Sequence, residues 1–175
     1  RYYNREAAVV YPPVDTDFFR PNGSDPGAYF LIVSALVPYK RINLAIAACK
    51  EAGVPLRIVG DGPELDALRM QADSNVEFFG WCSDVKVRQL YREARAFLLP
   101  GEEDFGIAPV EAQACGRPVI ALGTGGARET VLDGHSGFLV NEATHEALAS
   151  AIRRAVDHPF DSCAIRRNAL RFSRT

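Results

Sequence analysis

Short apolar runs of strand length alternate with helical patterns along this chain, and this alternation constrains the fold more than any other feature. The runs cover residues 8–11, 29–33, 56–59, 76–79, 96–99, 118–122 and 138–140. Runs that are mostly apolar suit strands buried on both faces, as in a parallel sheet covered by helices. Helical patterns cover residues 42–52, 65–72, 85–95, 109–114, 127–132, 145–156 and 162–172. The alternation predicts an α/β fold with a doubly wound, mostly parallel, Rossmann-like sheet.

Length and composition predict one soluble globular domain. The chain has 175 residues, of which 47% are hydrophobic and 24% are charged. This length suits a single domain over residues 1–175 with a full core. A net charge of −2 argues against a nucleic-acid binder, which would carry a basic surface. No apolar run is long enough to span a bilayer and no signal-peptide pattern opens the chain, so we expect a cytoplasmic protein.

The cysteines and histidines predict neither a metal site nor a redox site. Cys49, Cys82, Cys115 and Cys163 are far apart and form no C-x-x-C pair, so we expect reduced thiols. The histidines lack the spacing of metal ligands, and we expect loop and surface positions for them. We therefore expect no metal and no resident cofactor.

The acidic turn after the fourth strand is the strongest candidate for a ligand site. Pro109 suits the first position of a helix, because its missing N–H is not needed there, and Gly116 suits the end of that helix. The backbone N–H groups of residues 106–110 would then lie at the positive end of a helix, on the carboxyl side of a strand. Phosphate groups bind at such places.

Two carboxylates flank this predicted anion site. Glu103 and Glu111 would repel a bare phosphate, but each can accept hydrogen bonds from hydroxyl groups that lie beside one. A nucleoside diphosphate sugar, with hydroxyl groups on both sides of its diphosphate, fits this arrangement. The alternative is structural, because acidic residues are common in the first turn of any helix, where they complement its dipole.

The segment Glu-Asp-Phe-Gly-Ile-Ala-Pro-Val-Glu at 103–111 resembles the glutamate-x7-glutamate signature of retaining GT-B glycosyltransferases, the glycosyl transferases group 1. The resemblance covers nearly the whole chain and includes Tyr-Pro-Pro-Val-Asp at 11–15 and Gly-Gly-Ala-Arg-Glu-Thr-Val at 125–131. It implies that Glu103 contacts donor-sugar hydroxyls and that Glu111 holds the ribose of the nucleotide. The backbone expected to face sugar and diphosphate belongs to Phe105, Gly106, Ile107 and Ala108.

A basic pair follows the first long strand, at the edge where such sheets bind ligands. Lys40 and Arg41 would supply positive charge for a departing diphosphate, whereas the alternative is a solvated surface pair. The resemblance supports Lys40 as a catalytic residue beside Glu103, since the family's loop carries a Gly-Arg or Ser-Arg pair and then a lysine. Here Ala35 follows Ser34 in place of that arginine, and Arg41 is the candidate substitute.

The segment Gly-Asp-Gly-Pro-Glu-Leu at 60–65 nearly matches the dinucleotide fingerprint G-x-G-x-x-G. Leu65 replaces the third glycine, which would obstruct close packing of helix on strand, and no acidic residue follows at the expected distance. A dinucleotide-dependent oxidoreductase is therefore the weaker interpretation. The resemblance instead places this turn at the border of the nucleotide, which makes Gly62 a binding candidate.

The turn at 80–84 is the candidate base pocket, because the family's backbone meets the nucleobase there. Trp81 and Cys82 are the candidate contacts, although Trp81 could equally be a core aromatic rather than a pocket rim. Ser83 or Asp84 suits the N-cap of the next helix. Glu129 suits a helix start better than a catalytic role.

These patterns predict the donor-binding, C-terminal domain of a GT-B glycosyltransferase that transfers a hexosyl group with retention. Resemblance of residues 11–15 and 37–41 to bacterial mannosyltransferases of polysaccharide assembly suggests GDP-mannose as donor, and UDP-sugars remain open. The chain lacks an initiator Met, so we expect an N-terminal domain, absent from this chain, to bind a glycan or lipid-linked acceptor. Alone, the chain is expected to be inactive, and peripheral membrane association of the whole enzyme is compatible with the resemblance.

Three alternatives to this prediction stay open at the level of sequence. Ala35 in place of the expected arginine, together with the absence of the expected N-terminal domain from this chain, favours a non-catalytic nucleotide-sugar-binding module. The Gly60 turn favours the oxidoreductase domain. A GT-B epimerase or phosphorylase differs from a transferase mainly in residues outside this chain.

Overall fold

The computed structural model describes residues 9–174, which form a six-stranded parallel sheet covered by helices on both faces. The strands are β1 (Phe30–Val33), β2 (Leu56–Val59), β3 (Val76–Gly80), β4 (Ala96–Leu99), β5 (Val119–Leu122) and β6 (Gly137–Val140). The helices are α1 (Ile42–Ala52), α2 (Leu65–Gln71), α3 (Asp84–Glu93), α4 (Ile107–Ala114), α5 (Ala127–Thr130), α6 (His145–Asp157) and α7 (Ser162–Ala169). Short 3₁₀ turns cover Pro38–Lys40 and Leu170–Phe172.

Two apolar clusters, one on each face of the sheet, form the core. Successive strand residues point to opposite faces, so Leu31 and Phe97 pack under α3 and α4, whereas Ile32 and Leu98 pack under α1 and α6. Each strand in the middle of the sheet is therefore apolar on both sides. The predicted doubly wound α/β fold is confirmed.

The strand order β3-β2-β1-β4-β5-β6 fixes where a ligand can bind. The chain winds outward from β1 to β3 and then returns to the middle, so β4 pairs with β1 and the winding reverses. Loops leaving the carboxyl ends of β1 and β4 diverge at this point and leave a crevice between them. These two loops contain the predicted residues Lys40 and Glu103.

Most element boundaries lie within two residues of those expected from the sequence. Helix α4 begins at Ile107, two residues before the predicted start, because Pro109 is tolerated anywhere in a first turn whose N–H groups need no partner. Residues 9–11 of the predicted run at 8–11 form no strand, and Ala8 lies outside the described residues. The chain is joined to the domain at Val14 instead, through a parallel bridge to Ser173. Ser83 caps α3, as one of the two predicted alternatives.

A buried polar network fixes α4 on the side that packs against α7. Asn168 of α7 donates to Gln113 Oε1 at 2.7 Å and to the carbonyl of Thr130 at 2.8 Å, while Gln113 Nε2 donates to the same carbonyl at 3.0 Å. Arg166 donates to the carbonyl of Ala114, the last residue of α4, at 2.7 Å. The helix that follows the acidic turn is therefore tied to the C-terminal helix by side chains.

Candidate functional site

The acidic turn at 101–106 is held in place by the glycine-containing loop at 123–126. Gly126 N donates to the carbonyl of Glu103 at 2.7 Å. A Cβ on Gly126 would lie 2.4 Å from Phe105 Cα, and one on Gly125 would lie 2.3 Å from the Glu103 carbonyl oxygen. These glycines therefore admit the backbone of the acidic turn, which is a structural role.

Lys40 and Glu103 form an ion pair across the crevice, although 63 residues separate them in sequence. Their side chains are only 12% and 23% exposed. The loops meet closely here, because a Cβ on Gly101 would lie 2.5 Å from the Tyr39 carbonyl oxygen. The two residues predicted to be catalytic thus lie together at the carboxyl ends of β1 and β4.

A cavity of about 330 Å³ surrounds this ion pair. Its walls are the carboxyl ends of β1 and β4, the acidic turn and the first turn of α4, including Ser34, Phe105, Gly106, Ile107 and Ala108. The free N–H groups at the start of α4 lie at this cavity, together with the positive end of the helix dipole. The cavity therefore offers one cation, one carboxylate and backbone donors in an otherwise apolar wall.

Phe105 anchors the acidic turn to the C-terminal end of the domain. Its ring lies 5.6 Å from the ring of Tyr11 and 5.3 Å from that of Phe172. Tyr11 also interacts with Glu129, and a hydrogen bond to this carboxylate raises the pKa of the Tyr11 hydroxyl. Glu129 therefore has a partner at this aromatic cluster, in keeping with the structural role expected for it.

Glu111 lies further along α4, next to Tyr91 of α3. The Tyr91 hydroxyl donates to Glu111 Oε2 at 3.0 Å. Burial raises the pKa of the Glu111 carboxyl, the hydrogen bond from Tyr91 opposes this effect, and the charge of Asp84 adds to it. Sequence analysis missed Tyr91. A tyrosine on the apolar face of a helix signals a hydroxyl in need of a partner, but the signal does not identify the partner.

Two more cavities lie beside Glu111 and continue the first one along the sheet edge. The second, of about 390 Å³, is lined by Ser34, Ala35, Trp81, Cys82 and Glu111. The third, of about 650 Å³, is lined by Asp15, Ser83, Asp84, Glu111 and Arg174. The second shares Ser34 with the first and Glu111 with the third, so we call the three together the carboxyl-edge cleft.

Trp81 and Cys82, the predicted base contacts, both line the second cavity. Trp81 is 82% exposed, which excludes the core position and leaves the rim. Cys82 is half-buried and packs against the core on the α3 side of the sheet. The turn after β3 thus reaches the same part of the cleft as Glu111.

Arg41 and Gly62 lie outside the lining of the carboxyl-edge cleft. Arg41 is exposed at the junction of the 3₁₀ turn with α1, where its backbone is left-handed with φ 52°. It does not lie beside Ala35 in the second cavity, so the structure offers no support for Arg41 as the substitute. Gly62 packs on the first loop, since a Cβ there would lie 2.4 Å from the Leu36 carbonyl oxygen.

Another cavity, of about 520 Å³, lies at the opposite edge of the sheet and contains several arginines. Arg117 donates to the carbonyl of Ser24 at 2.7 Å and also to that of Arg92. Arg166 donates to the carbonyls of Phe19, Ala114 and Thr16. These two guanidinium groups are engaged with backbone and join surface segments to the domain.

Within residues 9–174, no three His, Cys, Asp or Glu side chains lie close enough together to hold a metal ion. No helix in the same part of the chain is long and apolar enough to cross a membrane. Cys49 and Cys115 are buried free thiols, and burial raises the pKa of each to about 12.

Comparison with known proteins identifies the family to which this chain belongs. The sequence profile of the Glycosyl transferases group 1 matches residues 14–171, which is most of the chain. The chain is a member of this family. The resemblance seen in the sequence at 103–111 is thereby confirmed.

Two mycobacterial enzymes are among the relatives of this member of the glycosyl transferases group 1. It is 33% identical to the GDP-mannose-dependent alpha-(1-6)-phosphatidylinositol monomannoside mannosyltransferase of Mycolicibacterium smegmatis, over 88% of this chain and 48% of that protein. It is 35% identical to the D-inositol 3-phosphate glycosyltransferase of Mycobacterium bovis, over 89% of this chain and 36% of that protein. The chain thus spans less than half the length of either relative.

Solved structures of GT-B glycosyltransferases share the fold of this family member. Anabaena HepE, solved in complex with UDP-glucose, superposes with a TM-score of 0.82 at 25% identity, over 95% of this chain and 53% of HepE. The lipopolysaccharide outer core galactosyltransferase WaaB superposes with a TM-score of 0.83 at 24% identity, over 96% of this chain and 52% of WaaB.

The family assignment also bears on the oxidoreductase alternative. The near-fingerprint at 60–65 follows β2, whereas dinucleotide-binding folds carry it in the turn after β1. Its two glycines meet protein backbone, because a Cβ on Gly60 would lie 1.8 Å from the Ser34 carbonyl oxygen. Both the family and the position of this turn therefore disfavour a dinucleotide site.

Proposed function

We propose that this domain binds the nucleoside diphosphate sugar in a retaining glycosyl transfer, with the carboxyl-edge cleft as the donor site. The observation that carries the proposal is the Lys40–Glu103 pair at the first turn of α4, in a cleft that continues to Glu111. One cation, a helix N-terminus and two separated carboxylates match a ligand with a charged centre and hydroxyl groups at each end.

The charged centre of such a ligand is placed between the two loops. Lys40 and the N–H groups of Ile107 and Ala108 are the donors available for the two phosphates. The helix fixes the N–H groups before the ligand arrives, so they can stabilise the charge that develops on a departing diphosphate without reorganisation. Lys40 and the start of α4 thus act on the leaving group.

The two carboxylates bind the two ends of the ligand. Glu103, in the first cavity, accepts hydrogen bonds from hydroxyl groups of the transferred sugar. Glu111, beside Trp81 and Cys82 in the second cavity, accepts hydrogen bonds from the ribose, and the turn after β3 contacts the base. The donor then lies along the sheet edge, from the acidic turn to α3.

We propose GDP-mannose as the donor, because the mycobacterial mannosyltransferase relative is GDP-mannose-dependent. HepE is solved with UDP-glucose, which makes UDP-sugars the competing choice. The acceptor, a glycan or a lipid-linked molecule, would be bound by an N-terminal domain of a longer protein. No metal is required by this arrangement, since Lys40 and backbone donors carry the diphosphate.

The test is calorimetric titration of the chain with GDP, UDP and ADP. Binding of GDP in preference to the others supports a mannosyl donor, and silence from all three contradicts the donor site. Lys40→Met should weaken nucleoside diphosphate binding by about tenfold or more, since a hydrogen bond to a charged group is worth about 1.5 to 3 kcal/mol. Lys50→Met removes an exposed lysine paired with Asp73 and should leave the affinity unchanged.

Ala35 favours a second candidate, a donor-binding module without transfer activity. It lines the second cavity, at the loop position where the resemblance leads us to expect an arginine. Turnover of a nucleotide sugar by a longer form that includes the upstream half would exclude this candidate. Binding without turnover, with gain of turnover in Ala35→Arg, would support it.

A further inference from the structure

Tyr91 is a fully buried residue whose hydroxyl reaches the carboxyl-edge cleft through Glu111. It lies on α3, has no exposed surface and donates to Glu111 Oε2 at 3.0 Å. A buried hydroxyl requires a hydrogen-bond partner, and among the described residues Glu111 is the partner of this one. The contact joins a residue of the core to a carboxylate of the proposed donor site.

The core holds this hydroxyl in one place. The Tyr91 ring lies 5.8 Å from the ring of Phe19 at a steep angle and 5.9 Å from the ring of Phe97 in β4. Such packed rings sit in one rotamer, so the hydroxyl cannot follow a moving carboxylate. The position of the Tyr91 hydroxyl therefore determines the orientation of the Glu111 carboxylate.

We propose that Tyr91 is a positioning residue for donor binding. By holding Oε2 of Glu111, it leaves Oε1 facing the ribose. The proposal rests on the proposed function, because it assumes that Glu111 binds the ribose. Oε2 is occupied by Tyr91, whereas Oε1 accepts no hydrogen bond from the described part of the chain. Since Glu111 lines two cavities of the cleft, Oε1 is the oxygen left to accept hydroxyl groups.

Tyr91 also favours the ionised form of Glu111, which is the better acceptor. Burial and the charge of Asp84 raise the pKa of this carboxyl, and the Tyr91 hydrogen bond lowers it. The other ionisable groups lining these cavities are Asp15, Asp61, Cys82 and Arg174, and Cys115 lies one turn along α4. Loss of the Tyr91 hydroxyl would therefore leave a carboxylate that is both free to rotate and easier to protonate.

The test compares Tyr91→Phe with Tyr29→Phe. Tyr29 is a matched control, because it is also buried and its hydroxyl donates to the Leu90 carbonyl on the same helix at 2.7 Å. Each chain is titrated with GDP and UDP and with their 2′,3′-dideoxy analogues. We expect Tyr91→Phe to lose about tenfold in affinity for the ribose nucleotide and little for the dideoxy analogue. Tyr29→Phe should keep the wild-type preference for ribose.

Two outcomes of the titration would overturn the proposal. In one, Tyr91→Phe loses affinity equally for ribose and dideoxy nucleotides. In the other, Tyr29→Phe loses the ribose preference to the same extent as Tyr91→Phe. Either result would show that the hydroxyl acts only through the stability of the domain.

A second measurement separates this proposal from the proposed function. The pKa of Glu111 is read from its carboxyl ¹³C shift without nucleotide, in both variants. A higher pKa in Tyr91→Phe than in Tyr29→Phe supports the positioning of Glu111, and equal pKa values overturn it. Failure of the wild-type chain to bind either GDP or UDP would contradict the proposed function, whereas the ¹³C comparison still decides whether Tyr91 controls the carboxylate.

Discussion

Glu111, which is proposed to bind the ribose, lowers the stability of the domain. Its carboxyl is partly removed from water, and burial raises its pKa above the value in an unfolded chain. Between these two pKa values the folded state binds more protons than the unfolded state, so the free energy of unfolding falls as the pH rises through this window. Above the folded pKa the cost is fully present.

We therefore expect Glu111→Gln to raise the free energy of unfolding at neutral pH and to weaken nucleoside diphosphate binding. The gain should disappear as the pH falls through the Glu111 pKa, because the wild-type carboxyl is then neutral as well. Urea unfolding at a series of pH values measures this. Glu142→Gln, at an exposed position, is the control and should change little. Lower stability of Glu111→Gln at neutral pH would contradict the argument.

At the scale of single residues, sequence alone predicts which side chains enter the cleft better than it predicts their partners. Lys40 and Glu103 could be placed together because each follows a strand at the switch point. The Tyr91–Glu111 contact could not, because it depends on how α3 and α4 pack, which periodicity does not reveal. Arg41 follows a strand at the same edge, but its backbone is left-handed and its side chain is exposed, outside the lining of the cleft.

The acidic turn acts as one element whose shape is set by its neighbour. The loop at 123–126 holds it by a backbone hydrogen bond from Gly126 to Glu103 and by close contacts that allow no Cβ. The loop at 123–126 therefore fixes the spacing of Glu103, Phe105 and the start of α4. This supplies the pre-organisation that binding and transition-state stabilisation require.

Gly126→Ala tests this support by steric overlap alone, because the backbone of Gly126, with φ −65°, suits alanine. The new Cβ would lie 2.4 Å from Phe105 Cα, so the acidic turn must move. We expect the free energy of unfolding to fall by about 1 to 3 kcal/mol and nucleotide affinity to fall with it. Urea unfolding and calorimetry measure both.

Gly123→Ala in the same loop is the control for this variant. Its nearest neighbour to the new Cβ would be the Val140 carbonyl oxygen at 3.3 Å, away from the acidic turn. Gly123→Ala should therefore affect nucleotide affinity much less than Gly126→Ala. Equal losses of affinity in the two variants would mean that the acidic turn is not positioned by Gly126.

At the scale of the whole molecule, the two ends of the described chain meet beside α4. Val14 forms a bridge with Ser173, and Arg166 donates to the carbonyls of Thr16 and Phe19 as well as to that of Ala114. A cation at the last carbonyl of α4 also complements the negative end of that helix. The termini are therefore part of the support of the site, although they are remote from it in sequence.

We expect Arg166→Met to lower the free energy of unfolding by about 1 to 3 kcal/mol, because three carbonyl groups lose their donor. Arg167→Met is the neighbouring control, since Arg167 is 70% exposed and its nearest acidic partner, Asp161, is 3.8 Å away. Urea unfolding of the two variants should show a clear difference between them. Similar midpoints would contradict the proposed role of Arg166.

The fold as a whole was predictable because its strands are short, apolar on both faces and separated by helices of ordinary length. Residues 96–99 illustrate this, since a wholly apolar run before a Pro-Gly pair is typical of a buried strand in a soluble domain. The tie between the termini was not predictable, because Arg166 and Asn168 lie in a helix whose sequence indicates only a basic exposed face. Such contacts arise from packing, which a single sequence does not encode locally.

For the proposed donor, the Lys40–Glu103 pair would make binding an exchange of partners. An anion that approaches Lys40 must compete with a carboxylate that is already in place and shielded from solvent. The net binding free energy is the difference between the Lys40–anion contact and the Lys40–Glu103 contact, so a singly charged ion should bind weakly. A diphosphate brings more charge and reaches the helix N-terminus as well, and its sugar hydroxyl groups give the displaced carboxylate new donors. Discrimination among anions would then come from Glu103, the residue proposed to bind the sugar.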